Sequence, residues 1–198
     1  MSTEIPADIP IDAPPAERIT AAVAALGEDE VISRSIALLA GFNVGDEFLL
    51  WVGGVHAQGI IDGAPALYWP EVWGARALLY VWDDKAADAV KAGLTNQAWR
   101  VREMSAKVVA ARSLPFVKSV SDLATDEVAR VRAQAARTLG EIADARSVEV
   151  LTALLADSDI DVRRQAGPAL AAVKDRAAAS DEEISDGPET QLKTIEED

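Results

Sequence analysis

Three times along this chain a valine–arginine pair opens a stretch of alanine-rich helix formers. The copies are Val101-Arg102-Glu103-Met104-Ser105-Ala106, Val131-Arg132-Ala133-Gln134-Ala135-Ala136 and Val162-Arg163-Arg164-Gln165-Ala166-Gly167, spaced by 30 and then 31 residues. A period of that size, filled with helix formers, predicts stacked helix pairs, because one pair alone cannot bury its apolar face. The valine is one end of the buried stripe, and Ala and Leu positions spaced three to four apart extend that face. Aligning Val72 with Val101 adds a degenerate fourth copy at a spacing of 29, in which Trp73 stands where the others have arginine.

Punctuation along the chain supports the same division. Helices are expected over 16–26, closed by Gly27, and over 28–40, closed by Gly41. Residues 46–52 read as a short helix whose apolar run would also suit a strand, and 55–61 is ambiguous. Asp62-Gly63 with Pro65 marks a turn. Helix pairs then follow over 71–82 with 85–94, 99–112 with 116–123, and 127–142 with 147–155, before a last long helix from 160 to about 178. Asp83-Asp84, Thr125-Asp126 and Asp157-Ser158-Asp159 fall in the connections, where Asp and Ser cap the next helix.

These repeats resemble the HEAT-repeat family, in the short bacterial form also found in phycocyanobilin-lyase-like proteins. The resemblance rests on Trp99-Arg100-Val101-Arg102 with Ala106 and Val109, on Asp126 through Arg132 with Ala136 and Leu139-Gly140, and on Asp159, Asp161, Val162, Arg163, Ala166 and Leu170. It implies an all-α fold, a short α–α solenoid wound as a right-handed superhelix. It also implies that the repeated arginine pairs with an acidic loop residue of an adjacent repeat. The resemblance does not imply a lyase, and it is nearly silent on function.

The expected organisation has three parts. Residues 1–15, with Pro6, Pro10, Pro14 and Pro15, form an acidic, proline-rich arm expected to be extended or disordered. Residues 16–178 form one helical domain, with an atypical N-terminal cap over 16–70 and repeats over 71–178. Residues 179–198 carry eight acidic side chains against Lys193 alone and read as a disordered acidic tail.

Charge and composition restrict function. A formal net charge of −14 repels phosphate backbones and anionic membranes, and suits a basic partner. The absence of cysteine removes thiolate chemistry and sulfur–zinc sites. Neither a signal peptide nor a membrane span is legible, so a cytoplasmic protein without cofactor or metal is expected.

Candidate site residues come from three sources. Trp69, Trp73 and Tyr80 sit at spacings of four and seven within a segment, residues 51–99, that holds all five tryptophans and both tyrosines. That spacing predicts a shared helical side, either core packing or a docking patch of interface anchors. Arg102, Arg132 and Arg163 recur in register, either as structural ion-pairing groups or to orient an acidic segment. His56, the one histidine, lies in Gly53-Gly54-Val55-His56-Ala57-Gln58-Gly59 without the spacing of a metal motif or a phosphate loop.

The leading expectation is a noncatalytic protein-interaction scaffold or adaptor. One alternative is a small-ligand protein or enzyme built around His56, which requires a pocket joining that histidine to tryptophans and a buried acid. Another is a DNA-binding protein resembling the HEAT-like alkylpurine glycosylases. That reading needs a basic face with an aromatic or acidic patch near an extruded base, and the net charge stands against it.

Overall fold

The computed structural model describes residues 9–65, 69–142 and 147–185, with side chains as far as residue 179. Among these residues the chain is all helical, without a strand. In order, the helices are α1 (Pro15–Leu26), α2 (Glu28–Leu39), α3 (Asp46–Gly53), α4 (Val55–Ile61), α5 (Pro70–Ala77), α6 (Ala87–Gly93), α7 (Trp99–Ala111), α8 (Val117–Asp122), α9 (Ala129–Ile142), α10 (Val148–Leu154) and α11 (Ile160–Ser185).

Local chemistry sets these limits. Pro15 occupies the first turn of α1, where its missing N–H costs nothing. Gly27, at φ 87°, turns α1 into α2, and Glu28, Asp29 and Glu30 then meet the positive end of the α2 dipole. The segments that were ambiguous in sequence, 46–52 and 55–61, are both helical. Gly54 separates them at φ 60°, where a Cβ would approach the Ile11 carbonyl oxygen to 2.5 Å.

Packing follows the sequence period in the C-terminal half. Helix α7 packs on α9 and α9 on α11, while the short α6, α8 and α10 lie against α7, α9 and α11 respectively. The row continues backwards through α5, which packs on α7 and α2. The valines of the repeat, Val101, Val131 and Val162, are fully buried, together with Ala106, Ala136 and Ala166. Small residues bring the helices close: the Cα of Gly74 faces the Ser35 and Leu39 backbone, and Gly140 faces Ala169.

The N-terminal part departs from this regularity, since α1 and α3 pack on each other and α3 on α5. Arg18 explains the join. It is buried and donates to the Ala13 carbonyl, to Trp51 O at 3.1 Å and to Val52 O at 3.2 Å. Arg76 adds a bond to Val52 O at 2.9 Å. Two guanidinium groups thus satisfy the last carbonyls of α3 and face the negative end of its dipole. Burial holds the pKa of both below the ordinary arginine value, and for Arg76 the neighbouring Arg18 charge adds to the effect.

Two boundaries differ from expectation. The described end of the proline-rich arm is packed: Ile9 is buried, and Ile11 O accepts from Val55 N at 3.3 Å. Apolar Ile9 and Ile11 outweigh the prolines that suggested an extended or disordered arm. The last helix continues to Ser185, seven residues beyond the end expected at 178. Pro168 lies within it on the exposed side. Residues 186–198 of the expected acidic tail lie outside the described residues, as do 1–8, 66–68 and 143–146.

Candidate functional site

The repeated arginines form a ladder. Arg102 places Nε 2.6 Å and Nη2 2.9 Å from the two carboxylate oxygens of Asp126, and its Nη1 donates to Asn96 O and Gln97 O. Arg132 repeats this with Asp157, at 2.7 and 2.9 Å, and with Asp126 O and Glu127 O. Each pair is shielded from water, with side-chain exposures of 12% and 6% for the first and 15% and 10% for the second. The same aspartates accept from the backbone N–H two residues on, at Val128 and Asp159, and so shape the turn into the next helix.

The electrostatics agree with this geometry. Burial alone would raise Asp126, but the Arg102 hydrogen bond, the Val128 N–H and the nearby arginine charges hold it below the usual carboxylate range. The Arg132 hydrogen bond does the same for Asp157, against a smaller opposing effect of burial. Arg102 and Arg132 are correspondingly raised by their aspartate hydrogen bonds. Arg163 differs. It donates Nη1 to Asp157 O and Ser158 O, and no carboxylate lies within ion-pair distance among the described residues. Arg102 and Arg132 are thereby occupied in joining repeats, as the resemblance implied.

The aromatic residues do not form one face. Trp73 is 3% exposed and packs against Gly53, so it belongs to the core. Trp69 precedes α5 in an extended conformation, which breaks the helical relationship implied by its spacing from Trp73. It is 42% exposed, and Tyr80, in the turn after α5, is 46% exposed. Tyr68 lies outside the described residues.

What the structure brings together instead is a groove across α5, α7 and α9 that reaches the start of α11. Three adjoining cavities of about 310, 320 and 330 Å³ make it up, sharing Glu103, Lys107, Arg130, Gln134 and Arg137 along their boundaries. The largest is lined by His56, Trp73, Arg76, Trp99, Arg100, Glu103, Met104, Lys107 and Arg130 among others. It therefore sets four cations against one carboxylate. The cavity at the α11 edge adds Arg137 but also Asp159 and Asp161, so the positive charge is concentrated over α7 and α9.

Trp99 is the organising ring of this chamber. The guanidinium carbons of Arg100 and Arg130 lie 4.3 and 5.4 Å from its ring centre, within cation–π range. Glu103, 9% exposed, accepts from Lys107 Nζ at 3.0 Å and Arg130 Nη2 at 3.1 Å, and so holds both cations at the groove. His56 is exposed at the rim, in the same cavity as two tryptophans and this buried acid. Neither Trp69 nor Tyr80 lines the groove.

The basic residues that the sequence gathers between Trp99 and Arg137 already suggested a groove along the stack, and the period says which of them line it. Arg100 and Arg130 are one period apart, and so are Lys107 and Arg137. Each pair stands beside the valine–arginine motif on a neighbouring helical face. Among the described residues no three His, Cys, Asp or Glu side chains are placed to hold a metal ion. No helix there is long and apolar enough to cross a membrane.

Comparison with known proteins agrees with the repeat reading over part of the chain. A family profile for HEAT repeats matches residues 117–181, which hold α8 to α10 and most of α11. No curated protein matches the chain. A crystal structure of an engineered protein from the Northeast Structural Genomics Consortium is similar at 24% identity and a TM-score of 0.49, over 83% of this chain and 86% of that one.

Proposed function

We propose that this helical, HEAT-like repeat protein is a noncatalytic scaffold or adaptor, a short right-handed solenoid whose basic groove receives an acidic segment of a partner protein. The observation that carries this reading is the period-related cation set. Arg100, Lys107, Arg130 and Arg137 line one groove beside Trp99, on a chain whose net charge is −14. Local positive charge on an acidic molecule is selective, because the surrounding field repels polyanions that cannot concentrate their contacts in the groove. Trp99 and Met104 supply apolar contact, so a segment with acidic residues flanking an aromatic or aliphatic side chain fits best. The arginines of the ladder remain structural in this reading, and Trp69 and Tyr80 stand apart from the binding surface.

A second reading has one observation in its favour. Cations, an aromatic ring and the buried acid Glu103 meet in a single cavity, which is the arrangement set out above for nucleic acid.

One experiment separates the two. Fluorescence anisotropy is measured with a labelled peptide of alternating Asp/Glu and Phe/Leu, and in parallel with labelled single- and double-stranded oligonucleotides. The scaffold reading expects peptide binding that weakens at least tenfold in the Arg130→Ala/Arg137→Ala double variant and falls with salt. Tight oligonucleotide binding lost in the same variant would transfer the groove to nucleic acid. Binding by neither probe would overturn the groove as an anion site.

A further inference from the structure

Among the described residues the arginine ladder is complete at two rungs and open at the third. Each arginine uses Nη1 for two carbonyls of its own loop. Arg102 takes Asn96 O and Gln97 O, Arg132 takes Asp126 O and Glu127 O, and Arg163 takes Asp157 O and Ser158 O. The Nε–Nη2 edge of the first two then grips the carboxylate of the following loop. The same edge of Arg163 meets no carboxylate among the described residues.

The start of the ladder shows that arginine and carboxylate go together. In the degenerate first copy the arginine is replaced by Trp73. The turn residue that would serve it, one period before Asp126, is Asn96. Asn96 keeps the turn hydrogen bond to Ala98 N at 2.8 Å and carries no charge. Where no arginine asks for it, the carboxylate is absent. At the other end the arginine is present and no described residue supplies its carboxylate.

A second, independent observation marks the same end. Leu94, Ala124 and Leu155 occupy equivalent places one period apart, and their exposures are 1%, 9% and 41%. Ile160, at the head of α11, is 53% exposed, whereas Trp99 and Ala129 at the equivalent positions are half-buried. A guanidinium edge without a described carboxylate and two exposed apolar side chains therefore mark the same end, around the connection from α10 to α11.

We infer that this open end is capped by residues 186–198 of the same chain, with a carboxylate of that segment taking the Arg163 position that Asp126 and Asp157 fill at the earlier rungs. The segment holds Asp186, Glu189, Glu196, Glu197 and Asp198 against Lys193. Its length suffices. Arg163 and Ser185 are 22 residues apart on α11, about 33 Å of helix. Thirteen further residues span up to about 43 Å when extended. Lys174 and Arg164 are exposed on the same helix, and tethering raises the effective concentration of the carboxylates. This cap is separate from the basic groove, whose cations lie on α7 and α9.

The test uses the full chain with all five acids neutralised (Asp186→Asn, Glu189→Gln, Glu196→Gln, Glu197→Gln, Asp198→Asn). The reporters are the arginine side-chain Nε–H resonances, with Arg102 and Arg132 as internal controls. The cap expects the Arg163 signal to move towards that of a free guanidinium and to exchange faster with water, while the controls stay in place. An unchanged Arg163 signal overturns the proposal. A wild-type signal that changes on dilution also overturns it, because the occupant is then a second copy.

A cysteine pair gives a second readout in this cysteine-free chain. Ser158→Cys with Glu197→Cys should yield an intramolecular disulfide under mild oxidation, and exclusively intermolecular products would refute the cap. Neither measurement touches the groove, so failure here leaves the peptide result standing and the reverse.

Discussion

Replacing Arg132 and Arg163 separately by methionine compares two copies of one motif that differ in a single structural respect. Methionine keeps most of the aliphatic stem, so the comparison isolates the guanidinium. Arg132→Met removes two charge-assisted bonds to Asp157, at 2.7 and 2.9 Å, and two carbonyl bonds at 2.8 and 3.3 Å. It strands a carboxylate that is only 10% exposed. Breaking one partner of a buried pair costs about 3–5 kcal/mol. The pair keeps an edge to water, so about 2–4 kcal/mol is expected here. For a chain of this size that corresponds to a fall in Tm of roughly 4–16 °C by calorimetry or circular dichroism. Arg163→Met removes two carbonyl bonds from an exposed side chain, and a tail carboxylate released from it returns to water instead of being stranded, so less than about 1 kcal/mol is expected.

Acid titration adds a second requirement. Asp126 and Asp157 are held below the usual carboxylate pKa in the folded chain. A depressed folded value means that the unfolded chain binds protons first as pH falls. The stabilisation is therefore fully present above about pH 5 and is lost progressively below about pH 4, towards the lowered values. Arg132→Met should flatten that acid limb, and Arg163→Met should flatten it less. Equal thermal losses in the two variants, or an unaltered acid limb in Arg132→Met, would refute the assignment of the ladder as the inter-repeat tie. The double variant Arg132→Met/Asp157→Asn should recover part of the loss, because it removes both charges together.

Further outcomes follow from packing. Gly140→Ala would set a Cβ 2.8 Å from the Ala169 Cβ, so denaturant unfolding should show a loss of about 1–3 kcal/mol despite the better helix propensity of alanine. Trp73→Ala should cost about 3–5 kcal/mol, whereas Trp69→Ala should stay within about 0.5 kcal/mol, because only the first ring is buried. Arg18→Met should cost about 2–4 kcal/mol by orphaning the carbonyls of Ala13 and Trp51 while Val52 O keeps its bond from Arg76, and hydrogen exchange should rise first in α3 and at the α1 start. Arg130→Ala should change Tm by less than about 4 °C, since this 69%-exposed side chain pairs across the surface with Glu103.

The repeat made the C-terminal half legible because one period fixes several quantities at once. It places buried valines at 101, 131 and 162, turn aspartates at 126 and 157, and arginines at 102 and 132 that reach from one to the next. Residues 9–61 resisted the same reading. Their packing depends on Arg18 and Arg76 reaching carbonyls 24 to 34 residues away, contacts that leave no periodic trace. The aromatic residues misled for a related reason. A spacing of four implies a shared face only inside a helix, and Trp69 stands just outside one.

The groove shows where the period carried further than motif matching took it. Applied to charge as well as apolar residues, it pairs Arg100 with Arg130 and Lys107 with Arg137, and these cations line the groove. The third copy replaces them with Asp161, 31 residues after Arg130, and with Pro168, 31 residues after Arg137. Positive potential thus ends where the repeats end, and acids take over at the α11 edge. An acidic ligand is consequently held over α7 and α9 and repelled from α11, which gives it one position along the groove. Replacing Asp159 and Asp161 by asparagine should therefore tighten binding of a long acidic peptide severalfold and leave a short one almost unaffected. Equal gains for both lengths would show that the acidic edge acts through net charge alone.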